Sequence, residues 1–226
     1  METSLHRQLK ELYAPDIAQT EVPLGDYRID AVRDDELIEV QHGSLSAIRD
    51  KIQELTKSHD VRVVKPIVAL KTLVQQKSKG GRVLRRRKSP KKGTLFNLFD
   101  ELVYFTRVFP HPRLTLEVIL VEIEEWRYPG HGRRRRHREN DFQIEDQRLV
   151  EVRETCQLRT AADLRTLIPG RLPRPFHTGH LAEALGVDRW IAQRMAYCMR
   201  HAGTVRESGK QGNALLYEFD KEASAA

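Results

Sequence analysis

Between Glu21 and Lys51 the chain reads EVPLGDYRIDAVRDDELIEVQHGSLSAIRDK, three short segments of strand character broken by two sets of turn residues and followed by a helical stretch. No other segment narrows the accessible folds so far. The segments EV, YRIDAV and ELIEVQ are separated by Leu24-Gly25-Asp26 and by Arg33-Asp34-Asp35, which predict tight turns and a three-strand antiparallel meander. A first turn centred on Gly25-Asp26 sets Glu21 opposite Asp30, and a second centred on Asp34-Asp35 sets Asp30 opposite Glu39. Three carboxylates are then expected across one sheet face, joined by Gln41, because side chains two apart on a strand share a face. Like charges directly opposed are unfavourable in a sheet, so such a row calls for a cation. Carboxylate oxygens suit Mg²⁺ or Mn²⁺, which are held by one or two carboxylates together with water and substrate phosphate.

After the meander, Leu45, Ile48, Ile52 and Leu55 recur at helical spacing behind Ser44 as a cap, with Lys51 at the edge of the apolar stripe. A strand, VRVVKPIVALKTLV, comes next, and Leu5, Leu9 and Leu12 predict a packing helix before the meander. This order of helix, three strands, helix and strand, with Asp30 on the second strand and Glu39-x-Gln41 on the third, resembles the PD-(D/E)xK nuclease superfamily, the restriction-endonuclease-like fold. The resemblance covers roughly residues 1 to 75. It implies that Asp30 and Glu39 bind the metal. The family's lysine is replaced by Gln41, and some branches supply one from the following helix, which assigns Lys51 that place. The additional upstream acid would be Glu21 or Glu11, of which Glu21 fits the strand pairing.

Charge is distributed unevenly. The net charge is +7, yet residues 77–92 carry nine Lys or Arg and residues 127–138 carry six Arg, neither with an acid. Positive charge gathered locally in this way is what a phosphate-binding surface requires. The expected nucleic-acid contacts are Arg85, Arg86, Arg87, Lys88, Lys91 and Lys92, in a protruding hairpin or a mobile loop turned at Gly80-Gly81, and Arg133, Arg134, Arg135 and Arg136 between two strands. Those strands, LTLEVILVEIEEW and QRLVEVRETCQL, are expected to pair, with Glu122, Glu124 and Glu125 on the polar face of the first. The segment TLFNLFDELVYFTRV carries a wide apolar face at helical spacing, which places it in the core rather than on a base-stacking surface.

From Thr160 the pattern changes to three short helices and a glycine-containing hairpin, similar to a winged helix. On the third helix Ile191, Met195, Cys198 and Ala202 share one face, while Arg189, Gln193, Tyr197 and Arg200 share the other, expected to read a duplex. His177 and His180 take ordinary polar roles. The expected organisation is an α/β nuclease-like domain over residues 1–159, a mixed sheet flanked by helices with a core complete in itself, and a winged-helix domain over 160–226.

The expected function is metal-dependent cleavage of DNA, with Glu21, Asp30, Glu39, Gln41 and Lys51 in the site, and the alternative is a non-catalytic DNA-binding or regulatory protein on the same scaffold. No Gly-rich phosphate loop is present. The two cysteines, Cys156 and Cys198, are far apart and read as reduced thiols. No stretch approaches a membrane span, so a cytoplasmic protein is expected. Its partners are expected to be nucleic acid, duplex DNA first, and a second copy of the chain as a homodimer.

Overall fold

A computed structural model of the chain describes residues 3–14, 16, 19–130, 141–168 and 171–220. The meander forms as the turn residues dictate: β1 (Thr20–Leu24), β2 (Tyr27–Arg33) and β3 (Glu36–Val40) pair antiparallel in sequence. Gly25 turns the first hairpin at φ 57°, and Asp34 and Asp35 turn the second at φ 51° and 65°. Two successive left-handed residues are what a twisted two-residue hairpin needs, and aspartate is among the few non-glycine residues that adopt them readily. A 310 turn (Leu45–Ile48) and α2 (Arg49–Leu55) then carry the chain back, so that β4 (Val61–Gln76) lies parallel to β3.

β4 organises the sheet. One of its edges pairs with β6 (Leu114–Pro129) from Val61 to Gln75. The other is shared, first by β3 at Val61 to Val64 and then by β5 (Val83–Lys88) at Thr72 to Gln76. The basic segment is therefore a hairpin. β7 (Phe142–Leu158) pairs antiparallel with β6, completing a seven-stranded mixed sheet in the order β1-β2-β3-β4-β6-β7, with β5 on β4. The edge of β7 is partly covered by α1 (Ser4–Tyr13), whose Gln8 side chain accepts the Leu149 amide at 2.8 Å.

Helices cover both faces of the sheet. On one, Leu5, Leu9 and Tyr13 of α1 pack on Ala31, Ile38, Val40, Val64, Ile119 and Val121. The buried face of α1 is centred on the Leu9–Tyr13 side, which also buries Lys10, so Leu12 falls at its edge and is 55% exposed, which corrects the expected Leu5-Leu9-Leu12 pattern. The opposite face is covered by α2, by a 310 turn (Leu95–Leu98) with the single-turn α3 (Phe99–Leu102), and by the C-terminal module. The segment 94–108, expected as one helix, breaks after Leu102 into turns. Val103, Phe105, Thr106 and Val108 are poor helix formers, and Phe105 and Val108 reach the core from an irregular backbone.

The C-terminal module consists of α4 (Ala161–Thr166), α5 (Thr178–Leu185), α6 (Arg189–His201) and the hairpin β8 (Val205–Gln211) with β9 (Ala214–Phe219). His177 caps α5, accepting from the amides of Gly179 and His180, and its ring stacks on His180 at 3.6 Å. The buried side of α6 holds Met195, Cys198 and Met199, while Arg189, Gln193, Tyr197 and Arg200 lie on its exposed side. One apolar cluster joins these buried residues to Leu98, Phe99, Leu102 and Phe105, so the core of residues 1–159 is not complete in itself: it continues through α6.

Candidate active site

The β2–β3 ladder pairs Ala31 with Ile38 and places Asp30 and Glu39 at the next opposed positions, where the strands part. Each carboxylate takes up an amide across the split. Asp30 Oδ2 accepts from Val40 N–H at 2.8 Å, and Glu39 Oε1 lies 3.4 Å from the Asp30 amide. The expected row of acids standing on one face is not what forms. Ile29 packs in the core beneath α2 while Ala31 packs in the core beneath α1, so β2 turns over at Asp30 and its carboxylate lies in the gap between the strands. Opposite this point Glu21 adopts a left-handed φ of 53°, a kink on β1 that accompanies the turn-over.

Charge around the pair is asymmetric. Burial would raise the Asp30 carboxyl, but the His6 imidazole at 3.4 Å and the Val40 amide hold it below the usual range. Glu39 is raised by burial and further by the charge of Asp30, against the opposing effect of Lys51. The ammonium of Lys51, from α2, lies 2.6 Å from Glu39 Oε1 and donates to the Arg28 carbonyl at 2.6 Å. Helical spacing places Lys51 beside the apolar stripe, and Ile52 and Leu55 anchor that stripe in the core.

Two of the expected members stand apart. Glu21 is held by Lys10 and by Arg28, the latter at 2.6 Å, so cations from α1 and β2 occupy it. Gln41 lies beyond the end of β3, and its amide donates to the Ser44 carbonyl at 2.5 Å, closing the loop that leads to α2. The strand alternation that groups Gln41 with Glu39 ends at Val40. Among the described residues, no three His, Cys, Asp or Glu side chains form a metal-ligating group.

Sequence reasoning gives α1 only a packing role, yet it supplies His6, which also lies 3.0 Å from the Val40 carbonyl, and the buried Lys10. The signal is present in their spacing, since residues 6 and 10 flank the Leu5-Leu9 stripe one turn apart. The loop after β3 is braced from beneath by buried Lys65, which donates to the carbonyls of His42, at 3.2 Å, and Gly43. Glu101 holds its far end, accepting from Ser44 Oγ at 2.8 Å and the Leu45 amide at 3.1 Å. Burial and Lys65 lower the His42 pKa.

The basic hairpin presents Arg85, Arg86, Arg87 and Lys88, all exposed, followed by exposed Lys91 and Lys92. Arg86 is paired with Glu124 and lies over the Trp126 ring at 5.4 Å, whereas Arg85 and Arg87 project from the other side of the strand. Glu125 corrects the expected polar face of β6. It is 1% exposed and bound by Lys71 at 2.6 Å, Gln147 at 2.9 Å and Arg127, because its side chain points opposite to that of its neighbour Glu124. Arg133, Arg134, Arg135 and Arg136 lie outside the described residues. In the C-terminal module Arg200 is ion-paired with Glu207 of β8.

No helix among the described residues is long and apolar enough to cross a membrane. The chain is similar to an "Uncharacterized protein" of Treponema pallidum (strain Nichols), at 29% identity over 218 residues, 96% of this chain and 84% of the relative. No solved structure matches. Residues 3–159, from the start of α1 to the residue after β7, match the family described as "Domain of unknown function (DUF8091)", and the chain belongs to that family.

Proposed function

We propose that this protein is a divalent-metal-dependent nuclease acting on DNA, with a restriction-endonuclease-like half-sheet and a C-terminal winged helix. The observation that carries this reading is the pair Asp30 and Glu39 at the strand split, with the Lys51 ammonium 2.6 Å from Glu39. The donor set fits Mg²⁺ or Mn²⁺: the two acids are hard-oxygen ligands at the strand split, and burial, with a contribution from the charge of Asp30, raises Glu39, an unfavourable charge that a bound cation relieves. With two carboxylates in hand, water and substrate phosphate complete the shell.

In this reading Asp30 and Glu39 hold the cation, which when bound lowers the pKa of a water and draws charge from the scissile phosphate. Lys51 orients Glu39 and supplies positive charge beside the reacting group. His6 fixes Asp30 from the α1 side, and the loop braced by Lys65 and Glu101 keeps α2, and with it Lys51, in register with the acids. Arg85, Arg87, Lys88, Lys91 and Lys92 engage the phosphate backbone, and the module bearing Arg189, Gln193 and Arg200 holds the substrate from the other side. A cytoplasmic location and a homodimer complete the proposal.

One observation favours the second reading, a non-catalytic DNA-binding protein. Gln41 stands where the resemblance calls for lysine, and its amide is spent on Ser44. A cleavage assay with Mg²⁺ or Mn²⁺ on single-stranded, duplex and tailed DNA decides between them. Cutting by the wild type that is abolished in Asp30→Asn supports the nuclease, and binding without cutting under every metal leaves the scaffold reading.

A further inference from the structure

The exposed side of α6 does not stand alone. Trp190, Gln193, Arg194 and Tyr197 form one wall of an open cleft of about 720 Å³, and Val103 and Tyr104, from the turns after α3, form the other. Its three aromatic rings are unusually open to solvent: Tyr104 is 56% exposed, Trp190 46% and Tyr197 42%. Trp190 and Tyr197 are seven residues apart on α6, hence on one face and separated by about two turns, roughly 10 Å along the axis. That is about three base steps of ~3.4 Å.

The rings are held in place. Trp190 Nε1 donates to Asp188 at 3.3 Å, Arg194 lies over the indole at 5.0 Å, and Tyr197 packs against the His201 ring at 4.3 Å. Cations stand at the cleft: Arg194 lines it, and Arg107 and Arg189 are exposed on the two segments that form its walls. The bordering acids are engaged, Asp100 by Arg194 at 2.7 Å and Asp188 by the indole. Preset aromatic rings with arginines beside them are what unpaired nucleotides require, since every base offers a face to stack on and its phosphate needs a cation. A major-groove reader needs the opposite, a helix face with no opposing wall, and here Tyr104 stands across from it.

We infer that this cleft binds a single-stranded segment of DNA, with bases stacked on Tyr104, Trp190 and Tyr197, so that the substrate is a duplex with an unpaired tail rather than a continuous duplex. The inference rests on the nucleic-acid reading proposed above and narrows its substrate class.

The test uses full-length protein carrying Trp126→Phe, which leaves Trp190 as the sole tryptophan, in EDTA to prevent cutting. Trp190 emission is followed on titration with an oligo-dT strand, a blunt duplex and the same duplex with a dT tail. Anisotropy of labelled DNA gives the affinities. Emission should respond to the strand and the tailed duplex but not to the blunt one. Tyr104→Ala and Tyr197→Ala, each verified by an unchanged melting curve, should weaken strand and tail binding at least fivefold while leaving the blunt duplex as it was. Blunt and tailed duplexes bound equally, with no change at Trp190, would overturn the cleft assignment and leave the nucleic-acid reading standing. Failure to bind any of the three DNAs would overturn both. Trp190 emission that depends on protein concentration without DNA would give the cleft to a second copy of the chain and overturn the inference.

Discussion

Lys51→Met tests the electrostatics of the site without touching a proposed metal ligand. Lys51 is 19% exposed in its side chain and Glu39 7%, and they approach to 2.6 Å, so the substitution leaves a nearly buried carboxylate without its cation. Breaking a fully buried pair costs about 3–5 kcal/mol. The partial access of water to Lys51 places this one lower, at about 2–3 kcal/mol. For a chain of this size that corresponds to a fall in Tm of roughly 5–10 °C. The deficit should depend on pH with a defined sign. Glu39 is raised in the folded protein by burial and by Asp30, and losing Lys51 raises it further. A carboxyl raised by folding favours the folded state while it is protonated, and that contribution is lost as pH rises through the folded value.

The deficit should therefore shrink as pH falls, since protonating Glu39 removes the unpaired charge, and be larger at pH 8 than at pH 5. Asp30, which folding lowers, weakens the protein on the acid side in both forms, and the difference between variant and wild type cancels it. Thermal melts of both proteins at pH 5 and 8, with and without Mn²⁺, provide the measurement. Under the proposed function Mn²⁺ should raise the variant's Tm by more than the wild type's, since the ion replaces the missing ammonium. Equal deficits at the two pH values, or none, would refute the coupling of Lys51 to Glu39.

Asp30→Asn should abolish cleavage while leaving duplex affinity equal or tighter, as measured by gel assay and anisotropy, because a charge that repels phosphate is removed. Replacing Arg85 and Arg87 with Ala should lower the log-log salt slope of duplex binding by about 0.9 for each phosphate no longer neutralised, whereas Arg86→Ala, already paired with Glu124, should change it less. The Cys198 thiol, pushed up by burial to about 12, should resist a thiol reagent at pH 8 until the protein unfolds, as a thiol count before and after guanidinium will show. Truncation after Arg159 should give a chain that binds a hydrophobic dye and melts without a sharp transition, because the cluster around Phe99 and Phe105 loses its cover from α6. A sharp melt with no dye binding would mean that residues 3–159 re-form a closed core.

Local chemistry made much of this fold legible. Gly25 and the pair Asp34-Asp35 fix two hairpins by their backbone preferences alone, and with them the register that opposes Asp30 to Glu39. Helical spacing placed Lys51 on the edge of α2 that reaches Glu39, period-two alternation marked β6, and strand-forming runs marked β4 and β7. These are relations between neighbours in the chain, which the sequence records directly.

What the sequence alone could not determine lies between distant segments. The turn-over of β2 at Asp30 follows from two cores pulling Ile29 and Ala31 to opposite sides, and neither core exists until α1 and α2 have packed. His6 meets Asp30 only across that packing. Glu125 reads as a surface acid until Lys71, Arg127 and Gln147 converge on it from three strands. Tyr104 lies off the apolar face of its segment, and only the tertiary packing sets it across from α6. Periodicity and turn preference are properties of a few adjacent residues, whereas the partner of a charge and the wall of a cleft are set by which elements the whole chain brings together.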